Sequence, residues 1–462
     1  GMVYIVHHPL MFLYNALIIF LTLSISLIFK RRTFSLILLS FFWIFCGTVN
    51  FVLLGFRTTP FSAMDLQILS SVMSIIKIYL NPWQIALLFL LAVAAIGAFI
   101  YMFIKAPIIK AKIQYIKSVT VIAVVALSVV VINFTAIADK TEQDNYPNIA
   151  DAYENYGFAY CFSTSLLDHG INQPDDYSEE LMNKLSTELE TKAASQEPEV
   201  MPNIIMIQLE SFFDVNHIIG MEYSENPIPT FTSLKEGYSS GFLRVPSIGA
   251  GTANTEFEVL TGFSLDYFGA CEYPYKTVLK DTTCESICYD LAKYNYKSHA
   301  IHNNEGSFYG RNEVFANLGF DSFTSIEYME DVKLNALGWA EDNTLLKEIT
   351  DAIELSKERD YVYTITVQSH GKYPTKILED APMGIKITAD AYEMTDELRN
   401  AREYFLNQIK EVDNFIKDVT DYFENYDEPV VIVFFGDHLP NLELENSMLD
   451  NGDILQTEYV IW

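Results

Sequence analysis

Four long apolar runs, near residues 9–29, 34–55, 84–104 and 118–135, constrain this chain more than anything else in it. Each approaches the ~20 residues that carry a helix across ~30 Å of hydrocarbon. Residues 1–135 hold nine Lys/Arg and a single acid, Asp65. Runs so poor in charge do not suit the helices of a soluble core, and a cleaved signal peptide would need only one of them. The expectation is a transmembrane domain over residues 1–135 with about four helices. Lys30-Arg31-Arg32 lies between the first two runs, and Lys105, Lys110, Lys112 and Lys117 lie between the last two. The excess of Lys/Arg in cytoplasmic loops puts both there, and puts the N-terminus, residues 57–83 and everything beyond 136 outside the cell. An outside N-terminus with no Lys/Arg ahead of the first run implies one further helix upstream. The opening Gly1-Met2 reads as a junction.

The rest of the chain has the opposite balance, with 21 basic and 59 acidic residues and a net charge of −38. A nucleic-acid partner is excluded on that ground, because phosphate binding needs a basic footprint. The five cysteines are Cys46, Cys161, Cys271, Cys284 and Cys288, with no CxxC pair. Cys284 and Cys288, four apart, are expected on one face of a helix, where buried small apolar residues are commoner than a metal pair. A disulfide is permitted outside the cell but cannot be assigned. Residues 57–83 are too polar to span and are expected to form an outside loop with an amphipathic helix on the membrane surface. Residues 136–200 form a polar, acidic, helical extracellular connector, with a helical patch at Ser178–Leu189. Proline and charge interrupt the pattern at Gln196–Pro202, which marks a boundary.

Beyond it, residues 201–462 alternate strand and helix. Strands are expected at Asn203–Leu209, Tyr296–Ile301, Tyr361–Val367 and Pro429–Phe435, and helices at Thr283–Tyr294, Asp342–Arg359 and Thr395–Asn425. Such alternation predicts an α/β domain with a mostly parallel central sheet and helices on both faces. Thr457–Trp462 reads as a further strand, and a C-terminal edge of the domain is expected beyond it.

The chemistry-bearing residues sit where these strands end. Asn203–Leu209 runs into Glu210-Ser211, Tyr296–Ile301 into His302-Asn303-Asn304, Tyr361–Val367 into Gln368-Ser369-His370, and Pro429–Phe435 into Gly436-Asp437-His438. In an open parallel sheet these ends converge on one edge, where ligands bind. Asp437-His438 offers an oxygen and an imidazole nitrogen to one divalent cation, or else an Asp capping a turn beside a packed His. The glycine-rich turn Ser247–Gly251 leads into what reads as a helix start at Thr252. A helix N-terminus favours phosphate through its free N–H groups and dipole. Thr252 is there either an N-cap or a nucleophile that needs a metal or a base to activate it.

These segments together resemble the lipoteichoic acid synthase and phosphoglycerol transferase family of the alkaline phosphatase/sulfatase superfamily. The resemblance is carried by Gln208–Ser211, Gly251–Phe257, His302–Arg311, Gln368–His370, Gly436–His438 and the Arg57–Leu66 loop. It implies a sulfatase-like catalytic domain at 201–462, in which Glu210, Thr252, Asp437 and His438 bind one Mn²⁺ or Mg²⁺ and Thr252 is the nucleophile. His370 would contact the phosphate or act on the leaving group, and Arg311, Tyr309, His302 and Asn304 would line the glycerol-phosphate pocket. Asn304 stands where the family often has Asp, and Tyr309 where Trp is common. The sulfatase signature of Cys or Ser followed by x-Pro-x-Arg is absent around Thr252. The implied activity is transfer of glycerol phosphate from phosphatidylglycerol to a glycolipid or glycerol-phosphate polymer of the lipoteichoic-acid type. It would proceed through a phospho-threonine ester, by a multi-pass cell-membrane enzyme with its catalytic domain outside. A phosphoethanolamine transferase or phosphodiesterase on the same scaffold, or a non-catalytic envelope-binding membrane protein, are the alternatives.

Overall fold

The computed structural model describes residues 2–56, 60–63, 65–66, 82–137, 149–167, 170–171, 176–193, 200–269, 272–381 and 383–462. The chain forms two compact units, residues 1–169 with 269–272, and residues 170–268 with 273–462.

Among the described residues of the first unit, four helices are long and apolar enough to cross a membrane: Pro9–Ile28, Arg32–Leu54, Trp83–Lys105 and Tyr115–Thr135. Their large side chains, such as Phe51, Phe89 and Leu127, are exposed, which suits lipid rather than water as the surrounding medium. The two basic loops lie together at one end of the bundle. Arg31 donates from Nη1 to the carbonyls of Ile104 at 3.1 Å and Ala106 at 2.9 Å, and Ile109 N donates to Lys30 O at 2.9 Å. The Arg31 cation thus satisfies carbonyls at the end of a helix that has no further turn to accept them. The unit also takes in helices Ile149–Tyr156 and Phe158–Leu167, which lie in the stretch read from the sequence as connector. Ala152, Tyr153, Tyr156, Ala159, Tyr160 and Cys161 are buried with Met11, Tyr14 and Ile18, so apolar packing draws these helices into the bundle. The surface helix expected in 57–83 lies largely outside the described residues.

Among the described residues the second unit has nine strands: β1 (Asn203–Leu209), β2 (Glu222–Tyr223), β3 (Ser239–Arg244), β4 (Tyr296–His302), β5 (Ser322–Ser325), β6 (Arg359–Ile365), β7 (Ile387–Ala389), β8 (Val430–Gly436) and β9 (Gln456–Ile461). Seven of them form one sheet in the order β3-β9-β8-β1-β6-β4-β5. The run from β8 to β5 is parallel, and β9 and β3 are antiparallel. Side chains alternate across a strand. Ile205, Ile207 and Leu209 of β1 and Ile432 and Phe434 of β8 are buried in the cluster that holds Phe405, Ile409, Val412, Phe415 and Ile416 of helix Asp396–Phe423. Gln208, of opposite parity, donates from Nε2 to Thr252 O at 3.2 Å and so ties β1 to helix Thr252–Thr261.

Three expected elements differ in extent. β6 stops at Ile365 because the N–H groups of Val367 and Gln368 leave the ladder for the Asp342 carboxylate, at 3.1 and 3.2 Å. The expected Asp342–Arg359 helix begins only at Thr344, with Asp342 held in that loop contact, and ends at Leu355, where Ser356 turns extended. The helix over Thr283–Tyr294 is shorter, Ile287–Ala292, since the Ser286 hydroxyl accepts from Cys288 N and caps it there. Cys284 therefore lies ahead of the helix, and the shared face expected for Cys284 and Cys288 does not form. Cys46, Cys161, Cys284 and Cys288 form no disulfide among the described residues, and Cys271 lies outside them.

Candidate active site

Four strands that are consecutive in the sheet, β8, β1, β6 and β4, release the chain at one edge. Leu209 pairs with Gly436, so Glu210 and Asp437 leave their strands side by side. The approach is close enough that a Cβ on Gly436 would fall 1.9 Å from the Phe212 carbonyl oxygen, which only glycine avoids. Ser211 turns the chain with φ 51, a conformation uncommon for a residue with a side chain. Its N–H thereby donates to Asp437 Oδ1 at 2.7 Å and its hydroxyl to Glu210 Oε1 at 3.0 Å.

Thr252 is the first residue of helix Thr252–Thr261, and Gly251 before it takes φ 103. A Cβ on Gly251 would lie 2.5 Å from Ser247 Oγ, so this turn also requires glycine. The Thr252 hydroxyl donates to Glu210 Oε2 at 3.0 Å rather than capping its own helix. The Thr255 hydroxyl donates to the Asp437 carbonyl at 2.7 Å and ties this helix to the exit of β8.

Glu210, Asp437 and His438 are all buried, and each offers a ligand atom within 4.8 Å of the others. The His438 Nδ1 lies 3.0 Å from Leu439 O, which can only accept, so Nδ1 carries the proton and Nε2 the lone pair. That Nε2 lies 3.5 Å from Asp437 Oδ2 and 3.7 Å from Glu210 Oε1. Among the described residues, neither His438 Nε2 nor Asp437 Oδ2 has a hydrogen-bond partner. Buried acceptors facing one another without a donor are costly. Burial pushes the Asp437 carboxyl well above the usual carboxylate range, and the Glu210 charge adds to that. Burial opposes ionisation of Glu210 too, but His370, His438 and the hydroxyls of Ser211 and Thr252 outweigh it and hold that carboxyl low. Burial also draws His438 down, toward the neutral form that ligates metals. Two carboxylates, a neutral imidazole and a hydroxyl fit one divalent cation by donor type and by the gap left among them.

The other side of the site holds the residues expected to line the head-group pocket. His302, at the end of β4, has its Nδ1 2.9 Å from the Ile365 carbonyl, and burial first, then the Arg311 charge, pull its pKa well down. It is a neutral imidazole. Asn304 is half-buried and uses its Oδ1 locally, accepting from Glu305 N at 2.8 Å. Tyr309 takes φ 58 and stacks on Tyr273, with centroids 5.5 Å apart. Arg311 is only 1% exposed, and its fork is not open. Nε and Nη2 both engage the buried Glu256 carboxylate, and only Nη1 lacks a partner. Arg311 is thus a buried cation already paired with an interior acid. His370 is half-buried beside Trp339, with ring centroids 4.6 Å apart.

Sequence reasoning missed several contributors. Glu256 is one turn beyond Thr252, and that spacing places both on one helix face, a signal that was available. Thr366, whose hydroxyl accepts from Glu210 N at 2.8 Å, and Ser369, whose hydroxyl donates to Glu210 O, steady the first ligand. Asp342 is buried, and its carboxyl is pushed up to about 6, chiefly by burial. Nothing in its sequence surroundings marks it.

Residues 202–462 match the model of the family described as Sulfatase. Among curated proteins, a "putative cyclic beta-1,2-glucan modification protein" of Rhizobium meliloti is 30% identical over 299 residues, covering 64% of this chain and 45% of that protein. A lipoteichoic acid synthase of Staphylococcus saprophyticus is 28% identical over 264 residues, covering 54% of this chain and 37% of that protein. The chain therefore spans less than half the length of these relatives. Among solved structures, Streptococcus pyogenes phosphoglycerol transferase GacH in complex with sn-glycerol-1-phosphate superposes with a TM-score of 0.55 at 21% identity, over 63% of this chain and 77% of that one. That likeness is one of fold.

Proposed function

This chain belongs to the sulfatase family of the alkaline phosphatase superfamily, and we propose from that premise that it is a membrane-anchored phosphoglycerol transferase. It takes glycerol phosphate from phosphatidylglycerol and passes it to a glycolipid or glycerol-phosphate polymer. One observation carries the chemistry: the Thr252 hydroxyl stands 3.0 Å from Glu210, at a helix N-terminus, beside the unpartnered Asp437 Oδ2 and His438 Nε2. The donor and acceptor follow the names of the relatives, a lipoteichoic acid synthase among them.

Glu210, Asp437, His438 and Thr252 would hold one Mn²⁺ or Mg²⁺. Such an ion supplies Lewis-acid stabilisation of phosphoryl charge and lowers the pKa of a hydroxyl bound to it. The chain's own residues then divide the work. The Thr252 oxygen, its proton already lost to solvent, attacks phosphorus as the alkoxide, and the bond from phosphorus to the diacylglycerol oxygen breaks. His370 gives that leaving oxygen its proton, so diacylglycerol departs and glycerophosphate is left esterified to Thr252. An acceptor hydroxyl attacks the ester next, His370 removes its proton, and the Thr252–phosphorus bond breaks. The free N–H groups of helix Thr252–Thr261 favour the phosphate electrostatically. Arg311 offers it Nη1, the one donor that Glu256 leaves open. Neutral His302 and the Tyr309 ring shape the glycerol end.

The Lys/Arg bias of the two loops gathered at one end of the membrane bundle supports a cytoplasmic location for that end and an outside location for the catalytic domain. Incubation of the whole protein with phosphatidylglycerol or phosphatidylethanolamine labelled in the head group, followed by mass analysis of the Thr252 peptide, tests the proposal. Glycerophosphate on Thr252 is the expected adduct. Phosphoethanolamine on Thr252 would move the substrate, and an unlabelled Thr252 in a turning-over enzyme would remove the mechanism.

A further inference from the structure

His370 is the one proposed reacting group that no strand or helix holds. It follows β6 by five residues, and Gln368 and Ser369 before it are buried while its own ring is half-exposed. A proton-transfer group must be held in a narrow range of positions, so something has to hold this ring. The loop over residues 334–342 touches this ring through Trp339 and touches the residues leading to it through Asn335 and Asp342.

That loop is a closed turn. Leu334 and Ala340 bridge, and Asn335 N donates to Trp339 O at 2.8 Å. Asn335 Oδ1 accepts from Leu337 N at 2.9 Å and Trp339 N at 3.0 Å, and its Nδ2 donates to Gln368 O at 2.9 Å and Gln408 Oε1 at 3.0 Å. One side chain therefore shapes the turn and fastens it to the residue two before His370. At the tip, the Trp339 ring lies against the His370 imidazole, 4.6 Å between centroids and 36° between planes. At the base, Asp342 Oδ1 accepts from Val367 N at 3.1 Å, Gln368 N at 3.2 Å and Asn303 Nδ2 at 2.9 Å, and Asp342 N donates to Gln368 Oε1 at 2.8 Å. Asn303 follows His302 directly, so the same carboxylate pins the exits of β4 and β6.

We propose that the 334–342 loop is the positioning element for His370, with Trp339 setting the imidazole plane and Asp342 pinning the strand exit that carries it. The two contacts complement a third. His370 Nδ1 is engaged by the Gly371 carbonyl, which can only accept, so Nδ1 holds a proton and Nε2 is left as the working atom. Ring plane, tautomer and chain position are each set by a different neighbour. Trp339 and Asp342 act through His370 and are positioning residues. The inference rests on the transferase reading only for the step that His370 serves.

Carbethoxylation of His370 by diethyl pyrocarbonate, followed by mass spectrometry on the full chain in detergent, reads the ring's access without any turnover. Trp339→Ala and Asp342→Ala are expected to raise the His370 labelling rate severalfold. Trp339→Phe keeps an aromatic plate and is expected to label as the parent does. Asp342→Asn keeps an acceptor for Val367 N and Gln368 N and is expected to restore most of the parental rate. A parental labelling rate in both alanine variants would overturn the proposal. Should Asp342→Ala not fold, the partly exposed Trp339→Ala decides alone. Transfer from phosphatidylglycerol vesicles provides the second arm. Trp339→Ala should lower kcat by about 10²-fold with little change in KM, the cost of a misplaced catalytic group. Faster labelling with unchanged transfer would keep the positioning role and remove the proton-transfer role given to His370.

Discussion

On the side of Glu210, Asp437 and His438, the buried Asp437 Oδ2 and His438 Nε2 lie 3.5 Å apart, and neither has a hydrogen-bond partner among the described residues. On the side of Arg311, the buried cation already has its carboxylate, Glu256, bound through two of its nitrogens. The first half is electrostatically incomplete until something positive enters. The second half is nearly neutral within the protein, and under the proposed function it would offer a phosphate one open nitrogen, Nη1, rather than a charged fork. The difference teaches where binding and chemistry are separated: attraction for a cation is built into the strand exits, and the head-group side is shaped first and charged only weakly.

Thr252→Ala breaks the comparison most directly, because it removes the oxygen that joins the two halves. Transfer should fall to background, a loss of about 10³-fold or more, while thermal unfolding stays near that of the parent. Persisting transfer would dismiss Thr252 as nucleophile. Glu256→Ala comes next, since it strands Arg311 as an unpaired buried charge. A destabilisation of about 3–5 kcal/mol in denaturant unfolding is expected, with Glu256→Gln milder. A neutral result would mean that the head-group side is not compensated in the way described.

The cation tests the other half. In metal-free protein the raised Asp437 carboxyl keeps its proton when folded and loses it when unfolded, so stability is greatest at low pH and falls as pH rises through the folded pKa. Added Mn²⁺ takes the place of that proton. It should stabilise by about 2.7 kcal/mol at a hundred times its dissociation constant, most visibly at high pH, and should flatten the slope. Melting curves with chelator and with Mn²⁺ across pH measure this, and equal curves would rule out the site. A smaller pH slope should survive in Mn²⁺. His217 sits between Asp450 Oδ1 at 2.7 Å and Glu458 Oε1 at 3.0 Å, with Asp214 nearby. The Glu458 hydrogen bond leads in raising its pKa, against burial, and the charges of Glu458, Asp214 and Asp450 add to it. Its contribution is fully present below the ordinary His range and is lost as pH rises through the raised value. His217→Ala should remove that residue of slope, on the order of 1–2 kcal/mol, and leave the response to Mn²⁺ unchanged.

Much of the site was legible because parallel strands force their carboxyl ends to one edge. Once β1, β4, β6 and β8 are recognised by their apolar runs, Glu210, His302, His370 and Asp437-His438 must gather. Glycine-rich Ser247–Gly251 announced a helix start for the same kind of local reason, the φ of 103 at Gly251. The misread elements share a different cause. Cys284 fell outside its expected helix because one hydroxyl, Ser286, capped the chain two residues later. Val367 left its strand because a carboxylate 25 residues away took its N–H.

The sequence by itself determined the apolar spans, the alternation of strand and helix, and the residues that meet at the strand ends, since each follows from local periodicity and from the direction of parallel strands. Only the tertiary structure decided that Arg311 is bound to Glu256, that Asp342 ties two strand exits together, and that Trp339 lies on His370. These are pairings between side chains distant in the chain. Burial and the absence of water, which no local pattern encodes, dictate which charge must find which partner.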